Sequence, residues 1–295
     1  MSSTDSHVAR EIASQPAAWR RAVDLLPSLG DAFPQSGERV AVVGCGTSWF
    51  MAECYAVLRE QAGQGETDYY TASELPADRR YDRVLAISRS GTTTEVLDVL
   101  AASTVRRTAI TADPHTPIAD LTDDCIALDF ADEQSVVQTV FATTTLMLLR
   151  ASLGIPVEHV VAEAEEVLAG KHPRPEPSTQ YTFLGRGWAH GVAREAALKM
   201  REAAQLWTEA YPQMEYRHGP ISIAEPGRIV WVFGDPVPGL LDDLSATGAR
   251  VVSDDLDPVA DLVRVQLLAV AEAESRGLDP DRPRHLARSV VLDAG

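Results

Sequence analysis

The stretch 195-EAALKMRE-202 holds the residues best suited to acid–base chemistry. Glu195, Lys199 and Glu202 stand at i−4, i and i+3, so a helix would put all three on one side. Val192, Ala196, Lys199, Ala203 and Leu206 fall on a single helical stripe, which sets the lysine in an apolar face with the two carboxylates at its edge. A buried lysine must be paired, or it gives up its proton. Two readings follow. Lys199 can snorkel outward between surface ion pairs, or a carboxylate and the lysine can project into a cleft where one of them acts as a base. A second titratable candidate lies close by in 215-EYRHGPIS-222, where Gly219 and Pro220 fix the turn that carries His218.

Two other stretches suit an anion. In 44-GCGTS-48, Gly46 lets backbone approach a ligand closely, and Thr47 and Ser48 bring hydroxyls to the start of a helix. In 88-SRSGTTT-94, Ser88, Ser90 and Thr93 repeat that arrangement around one glycine, and Arg89 adds a charge or faces solvent. Neither stretch is a P-loop, and Trp49 occupies the third glycine position of a dinucleotide fingerprint. Each alone is compatible with an ordinary polar turn. Converging at two strand ends of one parallel sheet, they would make a phosphate cup.

These loops need strands before them and helices after them. RVAVV (39–43) and RVLAI (83–87) are apolar runs of buried-strand type. Further strands are expected at 67–73, 106–111 and 125–130, with helices over 8–30, 49–58, 93–103, 135–152 and 157–170. Strands alternating with helices predict an α/β fold with a mainly parallel sheet covered on both faces. KHPRPEPSTQ (171–180) reads as a linker. The scheme then restarts with a strand at 181–185, a helix over 189–210, strands at 229–234 and 250–254, and a helix over 257–275. The expected domains are therefore 1–170 and 181–295, joined by 171–180. VVGCGTSWFMAEC and FLGRGWAHGVARE read as a weak internal repeat, but the second half lacks a counterpart to SRSGTTT.

Composition narrows the function classes. The 295 residues carry a net charge of −17, which disfavours a nucleic-acid partner. Three cysteines, none in a CxxC pair, argue against a disulfide framework or a zinc site and favour a reducing compartment. No apolar run is long enough for a membrane span, and MSSTDSHVAREI lacks the pattern of a secretory signal. A soluble, cytoplasmic protein without a metal or organic cofactor is expected.

Taken in order, VVGCGTSWF, AISRSGTTTEVLDVL, ITADPHTPIADLTD, EAALKMREAAQLWTEAYPQMEYRHGPISI and DRPRHLARSVV resemble the SIS (sugar isomerase) family of phosphosugar-binding proteins. The likeness is nearest to the isomerase half of glutamine–fructose-6-phosphate transaminases and to single-function amino-sugar-phosphate deaminases and isomerases. It implies two α/β/α subdomains and a homodimer with a shared active site. Gly46, Thr47, Ser48, Ser88, Arg89, Ser90 and Thr93 would hold the sugar phosphate, although Arg89 and Thr92 replace the Gln and Glu of the family's common S-Q-S-G-E-T. Glu202 would move a proton between C1 and C2, with Lys199 and Glu195 beside it. His218 would open the sugar ring, often in the neighbouring subunit's site.

The same resemblance makes Lys199 a third catalytic candidate beside Glu202 and His218, and makes Val136 and Gln138, in 133-EQSVVQT-139, candidate substrate contacts together with Glu195 and Arg288. Arg288 stands where the transaminase tail has a lysine, and an arginine cannot form a Schiff base. No glutaminase segment is expected in a chain that starts MSSTD. The leading expectation is thus a hexosamine-6-phosphate deaminase/isomerase that releases ammonia. The alternatives are an aldose–ketose phosphate isomerase, a sugar-amine phosphate deglycase, or a non-catalytic phosphosugar-binding module.

Overall fold

A computed structural model describes residues 6–292. The chain divides into two compact units, each built on its own parallel sheet. Residues 17–157 with the tail from His285 form the first unit, and residues 1–16 with Glu158–Arg284 the second. Helix α1 (His7–Leu29) contributes to both.

The first sheet contains β1 (Val40–Gly44), β2 (Thr67–Thr71), β3 (Arg83–Ile87), β4 (Arg106–Thr111) and β5 (Asp124–Ala127), in the order β2-β1-β3-β4-β5 and parallel throughout. Every residue of β1 and β3 is buried, as expected for central strands covered on both faces. On one face Ala41, Val43, Val84, Ala86 and Ala109 pack against Val96 and Leu100 of α3 (Thr94–Ala102) and Ile118 of α4 (Pro117–Asp120). Helix α2 (Thr47–Gln61) packs on β1 and on α5 (Val140–Ser152).

Helix α5 starts later than the expected 135. Glu133 folds back over its N-terminus: Oε1 accepts from the amides of Thr139 (2.5 Å) and Val140 (2.9 Å), and Oε2 from that of Phe141 (3.3 Å). A carboxylate there satisfies free helical amides and the dipole together, so residues 134–139 remain an irregular loop.

In the second unit the sheet order is β7-β6-β8-β9, again all parallel, from β6 (Gln180–Gly185), β7 (Trp207–Pro212), β8 (Ile229–Val232) and β9 (Arg250–Ser253). Helices α6 (Glu158–Leu168), α7 (Ala189–Ala204), α8 (Leu240–Ala246) and α9 (Pro258–Ser275) complete it. Leu184, Val230 and Val232 pack on Leu240 and Leu244 of α8, a helix not anticipated from the sequence.

Helix α7 stops at Ala204, short of the expected 210. Gln205 takes a left-handed conformation (φ +55°), and residues 207–212 become the edge strand β7. The prolines of 171–180 do not separate the units, whose division falls at Val157/Glu158. Ser178 is buried; its amide donates to the Tyr181 hydroxyl (2.9 Å), and Arg174 donates to the Leu267 carbonyl (3.0 Å). The Pro-rich segment is therefore fastened within the second unit.

Candidate functional site

The first sheet reverses strand order at β1, between β2 and β3. Ligands of open parallel sheets bind beyond the carboxyl ends of strands at such a switch. GCGTS follows β1 and SRSGTTT follows β3, so both hydroxyl loops lie where the topology favours a ligand.

In the first loop, a Cβ on Gly44 would stand 2.7 Å from the Ser48 backbone, so only glycine lets α2 start this close to the strand. Gly46 caps α2 with φ +55°. Thr47 and Ser48 occupy the first turn and are buried. In the second loop, Gly91 has φ +63°, and a Cβ there would fall 2.0 Å from Thr116 Oγ1. The buried Ser88 Oγ accepts from the Gly91 amide (3.2 Å), and Ser90 Oγ accepts from the Thr92 amide (3.3 Å). Thr93 is the N-cap of α3 and makes no side-chain cap bond. The loop is thus held by its own amides, with hydroxyls grouped at a helix start.

Arg89 does not share that task. Its guanidinium is buried, donating to the carbonyls of Ser135 (3.0 Å) and Arg288 (3.2 Å), with Glu133 at 3.8 Å. It ties the 133–139 loop and the C-terminal tail to the end of β3. Arg288 pairs with Asp132 and donates to the Glu133 carbonyl. Val136 and Gln138 are half-buried, and Gln138 Oε1 accepts no hydrogen bond among the described residues.

The second unit carries the titratable cluster. Lys199 and Glu195 are fully buried on α7, and the Glu202 side chain is 18% exposed. Lys199 Nζ lies 2.5 Å from Glu202 Oε2 and 3.4 Å from Glu195 Oε1. Snorkelled surface pairs would leave all three side chains in water, so that reading fails. One cation instead bridges two carboxylates in a region of low dielectric, where removing any member is expensive.

His218 ends a 3-10 turn (Glu215–His218) whose buried Tyr216 anchors it to the core. Arg217 fastens the turn to Asp243 (2.7 Å) and to the Pro238 carbonyl (3.0 Å). His218 itself is exposed on this rigid support. Ser289, which sequence reasoning missed, places its hydroxyl 3.1 Å from that of Ser90 and 3.0 Å from that of Thr92. The only signal for it was its position next to Arg288.

Among the described residues, no group of three or more His, Cys, Asp or Glu side chains could hold a metal ion. No helix among them is long and apolar enough to cross a membrane.

Residues 35–153 match the SIS domain family. Across 98% of its length the chain is 28% identical to the glutamine–fructose-6-phosphate aminotransferase [isomerizing] of Methanothermobacter thermautotrophicus, and covers 58% of that protein. It thus spans little more than half of that relative. Among solved structures, glucosamine-6-phosphate deaminase from Thermotoga maritima is 26% identical and superimposes with a TM-score of 0.81, covering 97% of this chain and 100% of that one. Tagatose-6-phosphate ketose/aldose isomerase from Escherichia coli, 21% identical, shares the fold with a TM-score of 0.79 over 98% of this chain and 97% of its own. The hydroxyl loops and the parallel sheet that presents them lie within residues 35–153, the part of the chain that matches the SIS domain family.

Proposed function

We propose that the chain is a phosphosugar enzyme that converts a hexosamine 6-phosphate and water to a ketose 6-phosphate and ammonia. The observation that carries this reading is the buried Glu195–Lys199–Glu202 group. A scaffold gains little stability from a lysine and two carboxylates withdrawn from water, whereas a proton-transfer enzyme needs a base held in a fixed environment.

In this reading Thr47, Ser48, Ser88, Ser90 and Thr93 receive the phosphate. His218 moves the ring proton that opens the pyranose, and its exposed position suits action on a sugar bound to a second copy of the chain. Glu202 takes the proton from C2 as the C1 oxygen gains one, giving an enolamine. Return of a proton at C1 leaves a ketimine at C2. Water adds there and ammonia leaves. Lys199 is a positioning residue that fixes the Glu202 carboxylate. The full-length likeness to a glucosamine-6-phosphate deaminase supports this class. Arg288, held by Asp132 and Glu133, offers no amine for a Schiff base, which disfavours transaminase-type covalent chemistry.

The test supplies glucosamine 6-phosphate and galactosamine 6-phosphate and measures ammonia and ketose phosphate. Turnover that disappears in a folded Glu202→Gln variant is expected. No ammonia from either substrate overturns the reading, and ketose formation from an aldose phosphate alone would replace it with isomerisation.

A further inference from the structure

The loop 133–139 that precedes α5 is closed by one carboxylate. Glu133 Oε1 accepts from the amide and the hydroxyl of Thr139 (2.5 and 2.9 Å), so a single group joins the first and last residues of the loop. Within it, Ser135 Oγ donates to the Val137 carbonyl (2.9 Å). Ser135, Val137 and Thr139 are buried, while Val136 and Gln138 between them are half-buried. That is the alternation of an extended segment with one side on the core. Gln138 keeps a buried amide oxygen that accepts no hydrogen bond among the described residues.

One guanidinium couples this loop to SRSGTTT. Arg89 belongs to the backbone of the hydroxyl loop, between Ser88 and Ser90, and its side chain is 1% exposed. Nη1 donates to the Ser135 carbonyl (3.0 Å) and lies 3.8 Å from Oε2 of the fully buried Glu133. Nη2 donates to the Arg288 carbonyl (3.2 Å). With Glu133 matching its charge, Arg89 offers a further anion little net attraction. A buried ion pair is weak evidence for stability. Its geometric effect here is to set one loop against the other. Arginine suits that task better than lysine, because its planar fork addresses carbonyls and a carboxylate together.

We propose that Arg89 is a positioning residue that fixes residues 135–138 beside the hydroxyl loop, so that Gln138 meets the sugar of a hexosamine phosphate whose phosphate the hydroxyls hold. The inference rests on the reading of these loops as the sugar-phosphate site. Arg89 then acts through Gln138 and touches no phosphate itself. Glucosamine 6-phosphate and inorganic phosphate are titrated calorimetrically into the full chain carrying Glu202→Gln, which stops turnover in the proposed mechanism. The same titrations follow with Arg89→Met, Gln138→Ala or both added. Loss of the Gln138 hydrogen bond should weaken the sugar phosphate about five-fold. Arg89→Met should weaken it at least as much while leaving inorganic phosphate within about two-fold. The double replacement should lose no more than Arg89→Met alone, because Gln138 is already displaced. Arg89→Lys keeps a cation facing Glu133 without the fork; it should lose less, and it carries the comparison if Arg89→Met does not fold. Additive losses, or no loss from Gln138→Ala or from Arg89→Met, overturn the positioning role. So does a loss of about ten-fold or more in inorganic phosphate binding by Arg89→Met, which would make Arg89 an anion ligand. Binding of neither compound by the Glu202→Gln chain overturns the site reading and the inference together.

Discussion

Replacing Lys199 with Met tests whether the α7 cluster is the buried ionic unit on which the proposed chemistry depends. Methionine keeps most of the volume and removes the cation. At 3.4 Å, in an effective dielectric of about 20, the attraction between Lys199 and Glu195 is about 5 kcal/mol before desolvation is set against it. Glu202, at 2.5 Å, adds a second attraction of similar size. Desolvation of the ammonium offsets much of this, and deleting one member of a buried pair typically costs about 3–5 kcal/mol. Adding Glu195→Gln removes a buried carboxylate that has lost its lysine and should restore part of the stability without restoring ammonia release. Urea denaturation followed by circular dichroism at pH 8 measures both. A deficit below about 1 kcal/mol at pH 8, or no recovery in the double variant, would refute the account of the cluster.

Three further outcomes are expected. Ser90→Ala should raise KM for a hexosamine phosphate more than it lowers kcat, because the loop anchors substrate and the proton transfer is assigned to Glu202; a pure kcat loss would contradict that division. Gly91→Ala places a Cβ 2.0 Å from Thr116 Oγ1 at φ +63°; a fall in stability of about 2 kcal/mol or more is expected in a thermal melt, and a normal melting temperature would show that the loop can relax. Burial pushes the Asp261 carboxyl up to about 6, against the pull of Arg264 and of the Trp231 indole N–H. A carboxyl with a raised folded pKa stabilises fully below its unfolded value, near 4, and that contribution is lost as pH rises through about 6. The melting temperature of Asp261→Asn should thus fall less steeply from pH 4 to pH 6.5 than that of the unaltered chain, and an identical slope would reject the assignment.

The centre of the first sheet was legible because β1 and β3 are short apolar runs closed by glycine and serine, the pattern that strands covered on both faces require. What escaped the sequence depended on contacts distant along the chain. The helical stripe of α7 seemed to continue through Leu206, but Gln205 reverses the backbone, and β7 then forms by pairing Gln180 with Trp207 and Gly185 with Pro212. Edge strands escape hydrophobic-run reading because one side of their ladder lacks a neighbour, and WTEAYP has no continuous apolar core. Residues 135–139 read as helix, but the Glu133 carboxylate just before them caps α5 from Val140 onward and leaves them as a loop. The family resemblance assigned Arg89 to the phosphate, whereas its buried guanidinium donates to the carbonyls of Ser135 and of a tail residue 199 positions away.

The two units show why fold and chemistry have to be argued separately. The strand orders β2-β1-β3-β4 and β7-β6-β8-β9 have the same connectivity. Gly185 repeats Gly44: a Cβ there would meet the Ala189 carbonyl at 2.2 Å, as one on Gly44 would meet the Ser48 backbone. Gly187 repeats Gly46, each with φ +55°. These glycines answer to the backbone, since a tight strand-to-helix turn needs them whether or not a ligand binds. The residues that follow are not so constrained. Thr47 and Ser48 place hydroxyls at the start of α2, whereas Trp188 and Ala189 stand at the start of α7, whose titratable groups lie two to three turns further along. A glycine pattern therefore locates a turn, and only the side chains beside it say whether an anion is held there. By that criterion the start of α2 carries hydroxyls that an anion could use, and the start of α7 carries none. Exchanging Thr47 and Ser48 for Ala should consequently weaken phosphate binding while leaving the strand-to-helix turn and the melting temperature nearly unchanged, whereas a large loss of stability would assign these hydroxyls to the fold.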